Sequence, residues 1–231
     1  MRLPIASTIE NSLLDYPGKI SYVVFLSGCN FKCGYCHNGE LIRNSQSCLS
    51  MSNVLSDIVN RKKFIDGVVV TGGEPTIHAD LPKFLAQIKD AGLPVKLDTN
   101  GSDYITIEAL LYQKLVDFIA LDIKGPLSHY PTITNSTIDP IQIVECLQII
   151  KQYAPDYEVR TTMVPEYIPD NAAFKEICSL VQGCKTWALQ QFNNKVTLNA
   201  SLAHVQPYSL HKLHKFSCLA KDYVDNVLER F

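Results

Sequence analysis

The chain has 231 residues, 46% of them hydrophobic, and its 21 Lys and Arg against 23 Asp and Glu give a net charge of -2. That length buries a substantial core, either as one large α/β domain or as two small ones, and a single domain over residues 1–231 is the default reading. The basic residues are scattered with no run able to track a phosphate backbone, which argues against a nucleic-acid partner.

The N-terminal stretch MRLPIASTIENSLLDYPGK carries Glu10, Asn11 and Asp15 and lacks an unbroken apolar run of signal-peptide length. No later segment approaches the roughly 20 apolar residues that span a bilayer, so no membrane partner and a cytoplasmic protein are expected. From Ser21 onwards short apolar runs alternate with helix-like stretches. SYVVFLS (21–27), GVVVTG (67–72), PVKLDT (94–99), DFIALDI (117–123), YEVRTTMV (157–164) and KTWALQQF (185–192) read as strands buried on both faces. Helices are predicted near 50–62, 80–91, 104–115, 139–152 and 170–182, with Ser50, Asp80, Asp139 and Asp170 as N-caps. Six strands alternating with five helices imply a parallel sheet. After Phe192 an extension (193–231) ends in an amphipathic helix over 211–229, whose Leu213, Phe216, Leu219, Ala220, Tyr223, Val224 and Val227 share one face. It reads as a helix docking on the core.

Polar residues collect where the predicted strands end: Gly72, Gly73 and Glu74; Asp98, Thr99 and Asn100; Asp122 and Lys124; Arg160 and Thr162; Gln190 and Gln191. In parallel βα architectures these ends share one rim, and the rim carries the active site. Each residue alone has a plainer reading as a turn former or helix cap. The recurrence over five ends is what favours a site.

Eight cysteines stand at 29, 33, 36, 48, 146, 178, 184 and 218. Without a secretory signal the compartment is reducing, so the three clustered in GCNFKCGYCHN (28–38) suggest metal rather than disulfides. A zinc site needs a fourth ligand, and the adjacent His37 is hard to aim at the same ion as Cys36. Cys33-Gly34-Tyr35-Cys36-His37 also fits the short haem-attachment pattern, but that attachment is expected outside the cytoplasm. A four-iron four-sulfur cluster normally takes four thiolates, and a loop that supplies three leaves one iron open to a ligand.

Cys29-x3-Cys33-x-Tyr35-Cys36 resembles the signature of radical S-adenosylmethionine enzymes, and Gly72-Gly73-Glu74-Pro75 resembles that superfamily's second motif. DYPGK (15–19), FLSGCNFKCGYCHN (25–38), TGGEPT (71–76), KLDTNG (96–101), DFIALDIKGP (117–126), YEVRTT (157–162) and ALQQF (188–192) together resemble the anaerobic ribonucleoside-triphosphate reductase activating proteins, cousins of the pyruvate formate-lyase activating enzymes.

The resemblance implies a partial (β/α)6 TIM-type barrel over about residues 20–192. It also implies one four-iron four-sulfur cluster on Cys29, Cys33 and Cys36, with S-adenosylmethionine chelated at the open iron and split by one electron to methionine and a 5′-deoxyadenosyl radical. Gly72, Gly73 and Glu74 are expected to border the methionine amino group. Tyr35 is expected either near the adenine or packed beneath the loop. Asp98, Thr99 and Asp122 match positions that hold a monovalent cation in the cousins, although they can equally pair with Lys124 or Arg160. Those two cations, with Asn100, complete the expected cofactor-binding set, and His37 and Asn38 shape the loop. The cousins carry a histidine near the last strand where this chain reads Gln190-Gln191-Phe192, so that contact is not carried over.

The implied partners are a large glycyl-radical enzyme, the anaerobic reductase, and a flavodoxin- or ferredoxin-type electron donor. Rival readings are activation of another glycyl-radical enzyme, modification of a small molecule such as a deazapurine precursor, and a zinc-stabilised interaction module.

Overall fold

The computed structural model describes residues 3–43 and 49–231; Cys48 lies outside them. Eight strands form one sheet in chain order: β1 (Ile5–Ser12), β2 (Ser21–Leu26), β3 (Gly67–Gly72), β4 (Val95–Thr99), β5 (Phe118–Asp122), β6 (Tyr157–Met163), β7 (Thr186–Gln191) and β8 (Asn226–Arg230). β2 to β8 run parallel, and β1 pairs antiparallel with β2. A parallel sheet whose order follows the chain, crossed over by a helix at each step, gathers its helices on one face and encloses the other. This is the expected partial barrel, extended by one strand at each edge. β1 and β8 do not pair with each other among the described residues, so the barrel stays open between them.

The six expected strands form because their Val, Ile, Leu and Phe runs meet apolar neighbours on both sides. Toward the helices lies the main core, from Leu26, Val68 and Val70 to Phe84, Leu97, Leu110, Leu121, Leu147 and Leu189. Toward the bore lies a smaller cluster of Tyr16, Val23, Val69, Phe118 and Ala120, with Phe25 against it. Tyr16, from the DYPGK block, tilts against Phe118 with ring centroids 5.8 Å apart and helps to plug the bore. Register continues the bore face upward in tiers: Lys96 lies beside Val69 and Phe118, Asp98 beside Ala120, Ala120 beside Glu158, and Asp122 beside Arg160. Residues two apart on a strand share a face, so apolar tiers below give way to charged tiers toward the strands' carboxyl ends.

Ser50 and Asp170 cap the helices Met51–Arg61 and Asn171–Leu180, accepting hydrogen bonds from the Asn53 and Ala173 amides. Asp80 occupies a cap position without a side-chain bond. Asp139 is not a cap: Pro140 takes that place before the helix Ile141–Tyr153, and the Asp139 carboxylate accepts from the Ile141 amide instead. Cys146 and Cys178 lie fully buried on helices, as small hydrophobes do.

The expected helix over 211–229 is two elements. Helix Leu210–Ala220 docks on the core, where Phe216 lies 4.5 Å from Phe174, which in turn stacks on Trp187 at 5.2 Å. The chain then turns and adds β8 beside β7. Arg230 at its end donates to both carboxylate oxygens of Glu158, at 2.7 and 3.1 Å. Glu158 is 2% exposed, so removing its partner leaves an unpaired buried charge. Arg230→Ala is therefore expected to cost about 2 kcal/mol in urea unfolding, short of a fully buried pair because the guanidinium is partly solvated. A loss within about 0.5 kcal/mol, the scatter of surface substitutions, would show β8 to be dispensable. Among the described residues no helix is long and apolar enough to cross a membrane.

Candidate functional site

The loop after β2 is fastened from several sides. Ser27 donates its amide to the Pro4 carbonyl, Gly28 to Leu41 and Lys32 to Thr134, while the Gly34 carbonyl accepts from Asn199. Phe31 sits edge-on to Tyr130 and Tyr35 edge-on to Tyr167. Between these anchors Cys29 and Cys36 are half-buried and Cys33 is buried. Burial pushes the Cys29 thiol up to about 11 and Cys33 to about 12, and raises Cys36 as well, while the Lys124 ammonium pulls all three down. These are thiols that ionise on meeting a metal, and a cation already faces them. Burial lowers the pKa of the His37 imidazole.

The second strand end is joined to that loop by its backbone. Gly73 donates to the Leu26 carbonyl and Glu74 to the Gly28 carbonyl, each at 2.8 Å. Gly72 has φ +117°, and a methyl group on either glycine would overlap the backbone of Leu26 or Gly28. Gly72 is therefore required by the approach of β2, and Gly73 by that of the cysteine loop. Glu74 turns inward, fully buried. One oxygen accepts from the Thr76 amide, the Thr76 hydroxyl and the Thr99 hydroxyl, and the other from the Asn100 amide at 2.6 Å. Burial raises its carboxyl, and these four bonds pull against that. Its side chain clamps two strand ends together. Glu74→Gln would set an amide donor against the Asn100 amide, with an expected cost of about 2 kcal/mol in chemical denaturation; a variant as stable as the parent would contradict the clamp.

Around the rim the charges alternate. Lys96 bonds one oxygen of Asp98, whose other oxygen takes Arg160 at 3.0 Å; Arg160 Nε bonds Asp122 at 2.7 Å, and Asp122 takes Lys124 at 3.0 Å. Burial opposes ionisation of Asp122, but Arg160 and Lys124 outweigh it and hold the carboxyl well below the usual range. Arg160 and Lys96 do the same for Asp98. Both carboxylates are thus paired with Lys96, Arg160 and Lys124.

The expected cluster- and cofactor-binding residues line one cavity of about 310 Å³: Cys29, Cys33, Tyr35 and Cys36 from the loop; Gly72, Gly73 and Glu74; Asp98, Thr99 and Asn100; Asp122 and Lys124; and Arg160, whereas Gln191 of the expected rim does not line it and donates to the Tyr208 carbonyl. Asp15, Phe25, Thr162 and Gln190 join them. Asp15 carried no site signal beyond its place in DYPGK, and Lys96 none beyond standing two residues before Asp98. The volume suits a small organic ligand. Among the described residues no three His, Cys, Asp or Glu side chains are gathered as a single metal ion requires. Three cysteines spread along one cavity wall, faced by a lysine, fit a larger thiolate-bound cluster.

The family model for the radical S-adenosylmethionine superfamily matches residues 23–175. A Methanocaldococcus jannaschii protein named for glycyl-radical enzyme activation is 32% identical over 235 residues, covering 100% of this chain and 97% of its own. A pyruvate formate-lyase-activating enzyme of Listeria monocytogenes is 28% identical over 182 residues, covering 73% of this chain and 72% of its own. Among solved structures, SuiB of Streptococcus suis, determined with S-adenosylmethionine, superposes with a TM-score of 0.69 at 15% identity; the alignment covers 88% of this chain and 48% of SuiB, and it bears on the fold alone. With a family model over more than half its length and a full-length relative above 30% identity, the chain belongs to the radical S-adenosylmethionine superfamily and, within it, to the glycyl-radical enzyme activating enzymes.

Proposed function

We propose that Cys29, Cys33 and Cys36 hold the four-iron four-sulfur cluster that the superfamily implies, and that S-adenosylmethionine fills the cavity beside it. The observation that carries this reading is the common wall: three cysteines of one loop and the ends of β3 to β6 line the same cavity, and among the described residues no other cysteine lines it. When bound, cluster and S-adenosylmethionine together supply a 5′-deoxyadenosyl radical by one-electron cleavage of the sulfur–C5′ bond, and that radical takes a hydrogen atom from a glycine α-carbon.

The chain's own residues bind, orient and shelter. Lys124 and Arg160 bring positive charge to the cofactor carboxylate, and Asn100, with its side-chain nitrogen 3.9 Å from the Cys29 sulfur, lies between loop and cofactor. Gly72 and Gly73 border the methionine amino group through their backbone, while the Glu74 side chain holds the strand ends and makes no direct contact. Tyr35, 6% exposed and packed on Tyr167, forms the floor near the adenine. A partner's glycine loop entering the open rim would close the cavity against water.

The partner we infer is the anaerobic ribonucleoside-triphosphate reductase, with a flavodoxin- or ferredoxin-type protein as electron donor. Seven ordered sequence blocks from Asp15 to Phe192 support it. The name of the Listeria relative favours pyruvate formate-lyase as the second reading. Anaerobically reconstituted protein, given S-adenosylmethionine, a reductant and each partner in turn, is expected to raise a glycyl-radical resonance on the reductase. A radical on the lyase alone would reassign the partner, and a radical on neither would contradict activation of both.

A further inference from the structure

Lys96 is the anomaly of the bore. It stands on β4 at 1% exposure, with apolar Val69 and Phe118 beside it on the neighbouring strands. A buried ammonium has to be paired. Its ion-pair partner is Asp98, and its other contact is the Phe118 ring, 5.9 Å away. A buried ion pair is weak evidence for stability, because apolar residues of similar volume hold a core as well or better. The lysine asks for another explanation, and its place beneath the site offers one.

The oxygens that the resemblance assigns to a monovalent cation are all engaged. Asp98 gives one oxygen to Lys96 and the other to Arg160; Asp122 gives one to Arg160 and the other to Lys124. The Thr99 hydroxyl donates to Glu74 and accepts from the Gly101 amide. An alkali ion needs several hard oxygens free to converge on it, and here it would also meet three fixed cations. The chain of groups holds three cations against two carboxylates, and two of the three, Arg160 and Lys124, line the cavity.

We propose that Lys96, with Arg160 and Lys124, takes the place of a monovalent cation at Asp98 and Asp122, so that the cavity receives the carboxylate of its ligand without an inorganic ion. The inference rests on the reading that this ligand is S-adenosylmethionine. Lys96 is a positioning residue: it holds one oxygen of Asp98, which directs the other to Arg160, and Arg160 is locked at its second point by Asp122.

The test compares sodium, potassium and tetramethylammonium chloride at one ionic strength, which keeps screening constant. Sodium-23 NMR of the protein without S-adenosylmethionine is expected to show no saturable ion binding. Saturable one-to-one binding that Asp98→Asn abolishes would overturn the proposal, and this arm stands even if the cavity takes no S-adenosylmethionine. In the anaerobically reconstituted protein, the Kd for radiolabelled S-adenosylmethionine is expected to vary by less than about twofold among the salts; tenfold tightening by potassium or sodium over tetramethylammonium would overturn the proposal. Lys96→Met is expected to weaken binding by about tenfold and to make it respond to alkali ions, with Lys96→Arg restoring affinity. A folded Met variant that binds as tightly as the parent in every salt would also overturn it.

Discussion

Cys33→Ala is expected to leave a folded protein that has lost most of its iron. Cys33 is the buried member of the three, and burial holds its thiol up to about 12, so it ionises only on meeting metal. The remaining pair, Cys29 and Cys36, flanks the gap, and the described residues offer no fourth cysteine at the cavity to replace it. Iron and acid-labile sulfide after anaerobic reconstitution are expected to fall at least tenfold, because a cluster ligand matters more than the outer contacts whose loss costs about 10- to 100-fold in affinity. Cys178→Ala is the control. That residue is buried on the helix Asn171–Leu180, away from the cavity; its loss is expected to cost about 1 kcal/mol of packing and leave iron at the parent level. Equal iron in Cys33→Ala and the parent would contradict the ligand assignment.

Gly73→Ala is the second large effect. Its methyl group would overlap the Gly28 carbonyl, whose oxygen accepts the Glu74 amide. Backbone on both sides leaves no flexible side chain to yield, so the Glu74–Gly28 bond has to break and the cysteine loop has to move. The expected cost is about 3 kcal/mol in urea unfolding, at the upper end of overpacking effects. The informative readout is local: affinity for S-adenosylmethionine should fall by more than the stability loss accounts for, because the two walls of the cavity are fastened at that bond. Gly92→Ala, where a methyl group meets open space but φ is +81°, should lower stability without touching affinity.

Much of this architecture is legible in the chain, and the exceptions share a cause. Runs such as VVV at 68–70 and FIAL at 118–121 meet apolar partners on both faces, so composition alone marks them as central strands. β1 reads IASTIENS, is buried only at Ile5 and half-buried or exposed from there on, and carries no such run. β8 was hidden differently. Residues 210–231 contain neither Gly nor Pro, so nothing marks the stop after Ala220, and Val224 and Val227 continue the helical stripe by coincidence. What fixes β8 is its ladder with β7 and the Arg230–Glu158 pair, both made across the fold.

The site divides in the same way. Motifs named the cavity-lining residues because strand ends of a parallel barrel converge whatever their order in sequence. They did not show which way each side chain turns. Glu74 belongs to a motif associated with the cofactor, yet its carboxylate is consumed by Thr76, Thr99 and Asn100. Asp98 and Asp122 are spent on Lys96, Arg160 and Lys124. Such pairings depend on register between strands, and register is set by packing across the fold.

The central claim is that one loop supplies three thiolates and leaves a corner of the cluster to the cofactor. Electron–nuclear double resonance on the reduced, anaerobically reconstituted protein tests it most directly, using S-adenosylmethionine labelled with nitrogen-15 at the amino group and oxygen-17 at the carboxylate. Coupling of both labels to the cluster is the predicted result; a cluster that shows neither coupling and carries a fourth protein side chain would contradict the account.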